Sequence, residues 1–309
     1  MEKKQSFLDK HVKKVVIFAV ICGATSGIFG ALITAPSMMI GFFRLSVAVP
    51  VFGVPVLLKS RDSLKAMSKR DWLYSALAGI FLFGHFFTWY NAVKLTTVSS
   101  AAVLAALHPL VVIFCTIFIF KRKVTARQIL AILIALAGAA LIAFTDASAA
   151  SQVAENPVLG NIFAFCSGIC MGIYFQFGNE ARANVPGPTY VFVCFLCCWI
   201  CFAIGMVATS TPVLGYPLMD YVYMFCVTII CQIGTHAVFN LCLGRVNSLF
   251  VSTWETGDAL FSTILALICL AQLPSIGGWV GCIVTTAGLL MFNYYTDKLE
   301  KEVSHGRQS

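Results

Sequence analysis

Apolar residues gather in ten long runs, near 12–34, 37–58, 72–93, 99–120, 126–145, 158–178, 189–209, 219–243, 248–271 and 275–295. Short polar segments separate them. Each run approaches the roughly 20 residues that an α-helix needs to cross a bilayer core. The pattern predicts an all-α integral membrane protein with ten transmembrane helices. The runs divide five and five about Asp146–Asn156, a stretch of small and polar residues (DASAASQVAEN). Five crossings per group start the second group from the opposite side of the membrane. Related halves would then form two inverted five-helix repeats, an arrangement common among secondary transporters. The expected division is a tail over 1–11, a first repeat over 12–145, a linker over 146–156, a second repeat over 157–295 and a tail over 296–309. The first run is long and lacks a small-residue cleavage site, so it reads as a span and not as a signal peptide.

Local echoes support a duplication. Ser26-Gly27-Ile28 returns as Ser167-Gly168-Ile169, Asn91 as Asn240, and Ala137-Gly138 as Ala287-Gly288, in the same order and at nearly constant separation. Small residues recur along the first run (Gly23, Ala24, Gly27, Gly30, Ala31) and the tenth (Gly277, Gly278, Gly281, Gly288). Such seams let helices pack closely in lipid. Pro50, Pro55 and Pro109 lie inside runs and are expected to kink them, since proline removes a backbone donor.

Composition agrees with a lipid solvent. The chain is 59% hydrophobic and 11% charged, against about 25% charged in globular domains. Its net charge of +8 does not imply nucleic acid, because of where the charge lies. In a ten-span arrangement nineteen of the 21 basic residues fall on one side. They include Lys3, Lys4, Lys10, Lys13 and Lys14 before the first run, and Lys59, Arg61, Lys65, Lys69 and Arg70 between the second and third. Lys121, Arg122, Lys123, Arg127, Arg182, Arg245, Lys298, Lys301 and Arg307 complete the set. Only Lys94 lies opposite, and only Arg44 lies within a run. This positive-inside bias places both termini in the cytoplasm of a multi-pass cell (inner) membrane protein. The loops are too short for a soluble catalytic or nucleotide-binding domain, and no cofactor is expected. Two C-x-x-C spacings among Cys194, Cys197, Cys198 and Cys201 sit in an unbroken apolar helix, where cysteine acts as a small hydrophobe. They predict neither a metal nor a redox site.

The informative residues are polar groups that cost energy to keep in a membrane, which are functional candidates by default. Glu255 and Asp258 fall near the middle of the ninth run, and a spacing of three puts them on one helix face. Two close carboxylates repel, so a proton or a bound cation would relieve them. The alternative is a structural carboxylate paired with Arg44 or bonded to backbone. His85, Trp89, Tyr90 and Asn91 cluster in the third run. Trp254 adjoins Glu255, and Tyr174 and Gln176 lie late in the sixth run. Aromatic faces beside a carboxylate suit a small organic cation; ordinary packing is the competing reading. His108 and His236 could relay protons or serve as hydrogen-bonded structural groups. Arg44 is expected to pair with an acid or with carbonyls.

These residues also carry a resemblance. His85-Phe86-Phe87-Thr88-Trp89 through Leu95-Thr96-Thr97-Val98-Ser99-Ser100 to His108-Pro109 resembles a pattern of the drug/metabolite transporter superfamily, specifically its bacterial EamA-type members. Gly234-Thr235-His236 through Asn240 and Leu243 resembles the matching pattern of the second half. Val124-Thr125 and the Ala-Gly pairs resemble the ends of each repeat. The likeness covers about residues 12–295. It departs in the ninth run, where Asp258 takes a position usually held by Glu, Ala259 replaces the following Pro, and Glu255 is an added acid. Arg122 and Gln272 stand where the family often has Glu.

The resemblance implies ten helices around a central cavity and alternating access without ATP hydrolysis. It implies a small-molecule cargo, with protons as a coupling ion, in a lipid bilayer; a homodimer is compatible with it. The expected function is secondary transport of an amine, amino acid or other cationic or zwitterionic metabolite, with proton-coupled export as the leading mode and a passive channel or uniporter as the alternative. The expected cavity residues are Glu255, Asp258, Trp254, His85, Trp89, Tyr90, Asn91, His108, Tyr174, Gln176, His236, Asn240 and Arg44. An intramembrane enzyme is not expected: H-E-x-x-H and G-x-S-x-G motifs are absent, and Glu255-Thr256-Gly257-Asp258 lacks the first glycine of a G-x-G-D motif. A receptor or scaffold would tolerate Asn or Gln at both acids.

Overall fold

The computed structural model describes residues 7–119, 121, 124–150, 155–243, 245–246, 248–255, 257–271 and 273–306. Lys3, Lys4, Arg122, Lys123, Thr256, Gln272 and Arg307 lie outside the described residues, as do the side chains of Lys10, Lys13, Ala259 and Lys301 and part of the expected linker.

The described chain is helical. In order it forms α1 (Phe7–Leu32), α2 (Ser37–Lys59), a short α3 (Arg61–Lys65), α4 (Lys69–Leu95), α5 (Val98–Ala105) and α6 (His108–Phe114). A π-helical turn (Cys115–Ile119) follows, then α7 (Ala126–Ala150), α8 (Pro157–Arg182), α9 (Gly187–Ala208) and α10 (Leu218–Cys226). A second π-helical segment (Val227–Ala237) leads into α11 (Val238–Cys242), α12 (Ser248–Glu255), α13 (Gly257–Leu270) and α14 (Ile276–Gly306). By length and composition, seven stretches among the described residues can cross a membrane: Lys14–Leu32, Ser37–Lys59, Lys69–Leu95, Val98–Ile119, Pro157–Arg182, Gly187–Ala208 and Leu218–Cys242. The other three expected spans fall on the shorter apolar helices Ala126–Gly138, Phe261–Leu270 and Ile276–Phe292. Helices α1, α7 and α14 run on into the expected tails and linker. A helix continues on backbone bonds alone, whereas the apolar pattern stops where lipid would.

Polar side chains fix the helix ends. Ser68 Oγ accepts from the Asp71 N–H and the Asp71 carboxylate accepts from the Ser68 N–H, at 3.2 and 3.0 Å, closing a capping box before α4. Asp220 on α10 reaches the α1–α2 turn. Its Oδ2 accepts from the Thr34 N–H, the Ala35 N–H and the Thr34 hydroxyl at 3.1, 2.9 and 2.7 Å. That carboxylate satisfies donors that no intrahelical acceptor can reach. Pro50 and Pro55 sit within an uninterrupted α2. Pro109 instead coincides with a break, the turn at Ala106–Leu107 between α5 and α6.

The bundle is apolar outside and holds its buried polar groups within a largely apolar core. Leu58, Val207, Ile268, Leu273 and Ile276 are exposed, while Arg44, Ser167, Gln232, Asn240, Ser252 and Ser262 are fully buried. Helices α4 and α8 pack antiparallel: Gly84 faces Cys170 and Gly160 faces Leu95–Thr96. Helices α7 and α14 also pack antiparallel, with Gly138 against Thr285 and Gly277 against Thr145. Helix α1 runs parallel to α13, with Val20 beside Gly257 and Gly23 beside Asp258.

The α7–α14 seam is the tightest test of this packing. A Cβ at Gly138 would lie 2.5 Å from the Thr285 amide nitrogen, and one at Gly288 would lie 2.5 Å from the Ala135 amide nitrogen. Backbone atoms cannot rotate away, so Gly138→Ala and Gly288→Ala are each expected to cost about 1–3 kcal/mol through overpacking. Gly257→Ala, which among the described residues meets only Val20 at 3.7 Å, should cost far less. Thermal unfolding of the three variants in detergent checks this ordering.

Candidate functional site

The break before α6 builds the first part of the site. In a continuous helix the Ala105 carbonyl would accept from the N–H of residue 109, but Pro109 has none. His108 supplies the missing contact: its Nδ1 lies 3.0 Å from the Ala105 oxygen. Its Nε2 lies 2.8 Å from the Ser252 carbonyl oxygen on α12 and 3.1 Å from Glu255 Oε2. The Ser252 carbonyl takes the better-aligned direction, leaving Glu255 Oε2 close to the ring but with no hydrogen bond of its own among the described residues. Glu255 ends α12 and Asp258 lies in the first turn of α13, on either side of residue 256. Asp258 Oδ2 accepts from the Ser262 hydroxyl at 3.3 Å. Gly23 on α1 stands opposite; a Cβ there would lie 3.2 Å from Asp258 Oδ1. The glycine makes room for the carboxylate.

These groups border a cavity between α1, α4, α5–α6, α8, the second π-helical segment and α12–α13. Its walls include Gly23, Ser26, His85, Phe86, Trp89, His108, Cys231, Thr235, His236, Glu255 and Asp258, with Ala102, Ala105, Ala106 and Met171. The centres of water molecules reach about 50 Å³ of the cavity. That is wide enough for a few waters.

The π-helical segment contributes Cys231, Thr235 and His236 to the wall. Such segments are rare and occur frequently at functional sites. The His236 ring packs edge-on against Phe86 with centroids 4.7 Å apart, and its Nδ1 has no partner among the described residues. His85 Nδ1 lies 2.8 Å from Ser167 Oγ on α8. Trp89 Nε1 donates to Ser26 Oγ at 3.3 Å, and the Tyr90 hydroxyl lies 3.4 Å from the same oxygen.

Arg44 stands one side chain behind the wall. Its guanidinium carbon is 3.9 Å from the centre of the Phe86 ring, a cation–π distance. One terminal nitrogen donates to the Tyr90 hydroxyl at 2.6 Å. Among the described residues its Nε and its other terminal nitrogen have no partner and no carboxylate is in ion-pair reach, although the side chain is fully buried. The expected pairing of Arg44 with an acid or carbonyl is thus replaced by a phenol and an aromatic face. Glu255 meets His108 instead.

Of the thirteen expected residues, His85, Trp89, His108, His236, Glu255 and Asp258 line the cavity. Tyr90 and Arg44 form the layer behind it. Asn91 turns back on α4, its Nδ2 donating to the Phe87 carbonyl at 2.7 Å. Tyr174 donates to Asn240 Oδ1 at 2.6 Å, a buried link between α8 and α11. Gln176 is buried away from the lining, and Trp254 packs half-buried on the hydrophobic core. Of the expected aromatic groups only Trp89 borders the cavity, joined by Phe86. Sequence reasoning passed over Ser26, Cys231 and Thr235 as wall residues. Ser26 lies in a motif already noted for its repetition and Thr235 in one noted for its resemblance; Cys231 carried no signal, since the π-helical widening that turns it inward has no marker in the sequence.

Comparison with known proteins agrees with this architecture. Residues 14–144 match the model of the EamA-like transporter family. An uncharacterized transporter from Archaeoglobus fulgidus is 23% identical over 258 residues, covering 82% of this chain and 86% of that one. A protein of known crystal structure, 16% identical, superposes with a TM-score of 0.68 over 94% of this chain and 99% of its own, a likeness of fold alone. The chain is a multi-pass membrane protein whose residues 14–144 match the EamA-like transporter family.

Proposed function

We propose that this protein is a secondary transporter that carries a small cationic or zwitterionic metabolite by alternating access between two inverted repeats. The observation that carries the reading is the cavity itself, where two carboxylates, three histidines and Trp89 face one another inside a bundle whose outer surface is apolar. A buried carboxylate in lipid needs a cation, and Trp89 and Phe86 offer ring faces to one.

The contacts between halves favour the repeats. Gly138 meets Thr285 as Gly288 meets Ala135, and Thr285 donates its hydroxyl to the Ala135 carbonyl across a separation of 150 residues. The same separation relates Gly138 to Gly288, so exchanging the halves maps this seam onto itself. The pairings of α4 with α8 and of α1 with the π-helical segment exchange in the same way. This symmetry and the one-sided basic residues support ten spans with both termini in the cytoplasm.

Arg44 favours a zwitterion over a simple amine. A buried guanidinium with unused donors is costly, and a cargo carboxylate would satisfy it once the Phe86–His236 wall parts. The two charges of an amino acid then have separate receptors, Asp258 for the ammonium and Arg44 for the carboxylate.

Purified protein in liposomes, screened with amino acids and their decarboxylated amines for thermal stabilisation and then for flux under an imposed pH gradient, tests the reading. Saturable flux that follows the gradient is expected; unsaturable flux that ignores it would leave a passive pore. Asp258→Asn should lower flux at least tenfold with the protein still folded, and near-normal flux would remove Asp258 from the site. Arg44→Gln should erase the preference for an amino acid over its amine, by about 1.4 kcal/mol for each tenfold. Unchanged discrimination in that variant would leave Arg44 a packing residue.

A further inference from the structure

His108 is surrounded by acceptors. The carbonyl oxygens of Ala105 and Ser252 face its two ring nitrogens at 3.0 and 2.8 Å, and Glu255 Oε2 lies 3.1 Å from Nε2. A neutral imidazole has one N–H and one lone pair, so only the doubly protonated ring donates at both positions. The ring is 3% exposed, so no bulk water substitutes for a missing donor.

Its place in the fold adds a second argument. His108 and Asp258 stand at the separation of 150 residues that relates Ala135 to Thr285. They hold equivalent positions in the two halves and line the same cavity. Glu255 has Ala105 as its counterpart, so the added acid belongs to one half only and is spent on His108. The two carboxylates, three residues apart, therefore have different surroundings. Glu255 abuts His108, whereas Asp258 accepts from Ser262 and faces Gly23.

We propose that the His108–Glu255 pair is the binding site of the coupling proton, with Asp258 left to the cargo. This rests on the transport reading above. With the proton bound, the pair is an imidazolium beside a carboxylate, and the ring ties α6 to α12 through the Ser252 carbonyl. The proton leaves from the ring to water in the cavity, the N–H electrons stay on nitrogen as a lone pair, and that lone pair then faces an oxygen. The tie between the fourth and ninth spans loosens. Other ionisable groups around the pair are His85 from α4, His236 and Cys231 from the π-helical segment, Asp258 from α13 and Tyr174 from α8, whose neighbour Phe175 packs tilted against the His108 ring. Helix α1 presents only Gly23 and Ser26, and Arg44 lies behind Phe86.

Two measurements test this. In protein labelled with ¹⁵N-histidine, the His108 resonances, assigned by their loss in His108→Gln, should show both ring nitrogens protonated at neutral pH, and a neutral tautomer in Glu255→Gln. A neutral ring in the unaltered protein overturns the proposal whether or not any cargo is transported. In liposomes, with a ¹⁴C-labelled mixture of the common amino acids as probe, pH-driven accumulation is compared with exchange at equal pH. The ratio of accumulation to exchange should fall more than tenfold in Glu255→Gln, while Asp258→Asn lowers both together and keeps the ratio within threefold. A ratio unchanged in Glu255→Gln overturns the proposal. Absence of any flux in the unaltered protein refutes the cargo class, and the histidine spectrum then decides the proton site alone.

Discussion

A helix bundle in lipid can hide its backbone but not its polar side chains. Each helix satisfies its own N–H and C=O groups, and lipid asks only that the outer surface be apolar. Any hydroxyl, amide or charge must then find a partner inside. Most do so here by short local bonds, as when Thr88 donates to the Gly84 carbonyl and Thr228 to the Met224 carbonyl. Others meet across helices, as Tyr174 does with Asn240 and Asp220 with Thr34, and one group of these surrounds the cavity. His108 reaches from α6 to α12, His85 from α4 to α8, and Trp89 and Tyr90 converge on Ser26 of α1. The cavity is the place where cross-helix polar contacts are incomplete.

The two halves meet along seams that depend on missing side chains. At Gly138 and Gly288 backbone touches backbone. Such contact fixes the relative height of α7 and α14. The wider cavity is held by softer groups, the rings of Phe86, Trp89 and His236. Rigid seams at the edge and rotatable rings at the centre suit a bundle that opens without losing its fold, the mechanical requirement of the proposed cycle.

Much of the fold was legible in the sequence because apolar runs and helices share their cause. The runs located the helices, and Pro109 marked a break. They missed how far α1, α7 and α14 extend, because helix propensity outlasts hydrophobicity. The site was legible as a set of costly residues: the histidines, both acids and Trp89 reach the cavity. Their partners were not. That His108 would meet Glu255 and leave Arg44 to a phenol depends on helix rotation and height. Those depend on contacts between helices distant in sequence, which no local pattern encodes. Asn91 and Tyr174 show the same limit, since a polar residue in a span can as easily bond its own helix or a neighbour as face a cavity.

The central claim is that this cavity opens in turn to both faces of the membrane. Cys231 lines it and is buried. With the other cysteines replaced, its reaction with a membrane-impermeant thiol reagent applied to either face of sealed vesicles is the most direct measurement. Alternating access predicts modification from both faces, with protection by a bound cargo. Modification from one face only, however long the exposure, would contradict it.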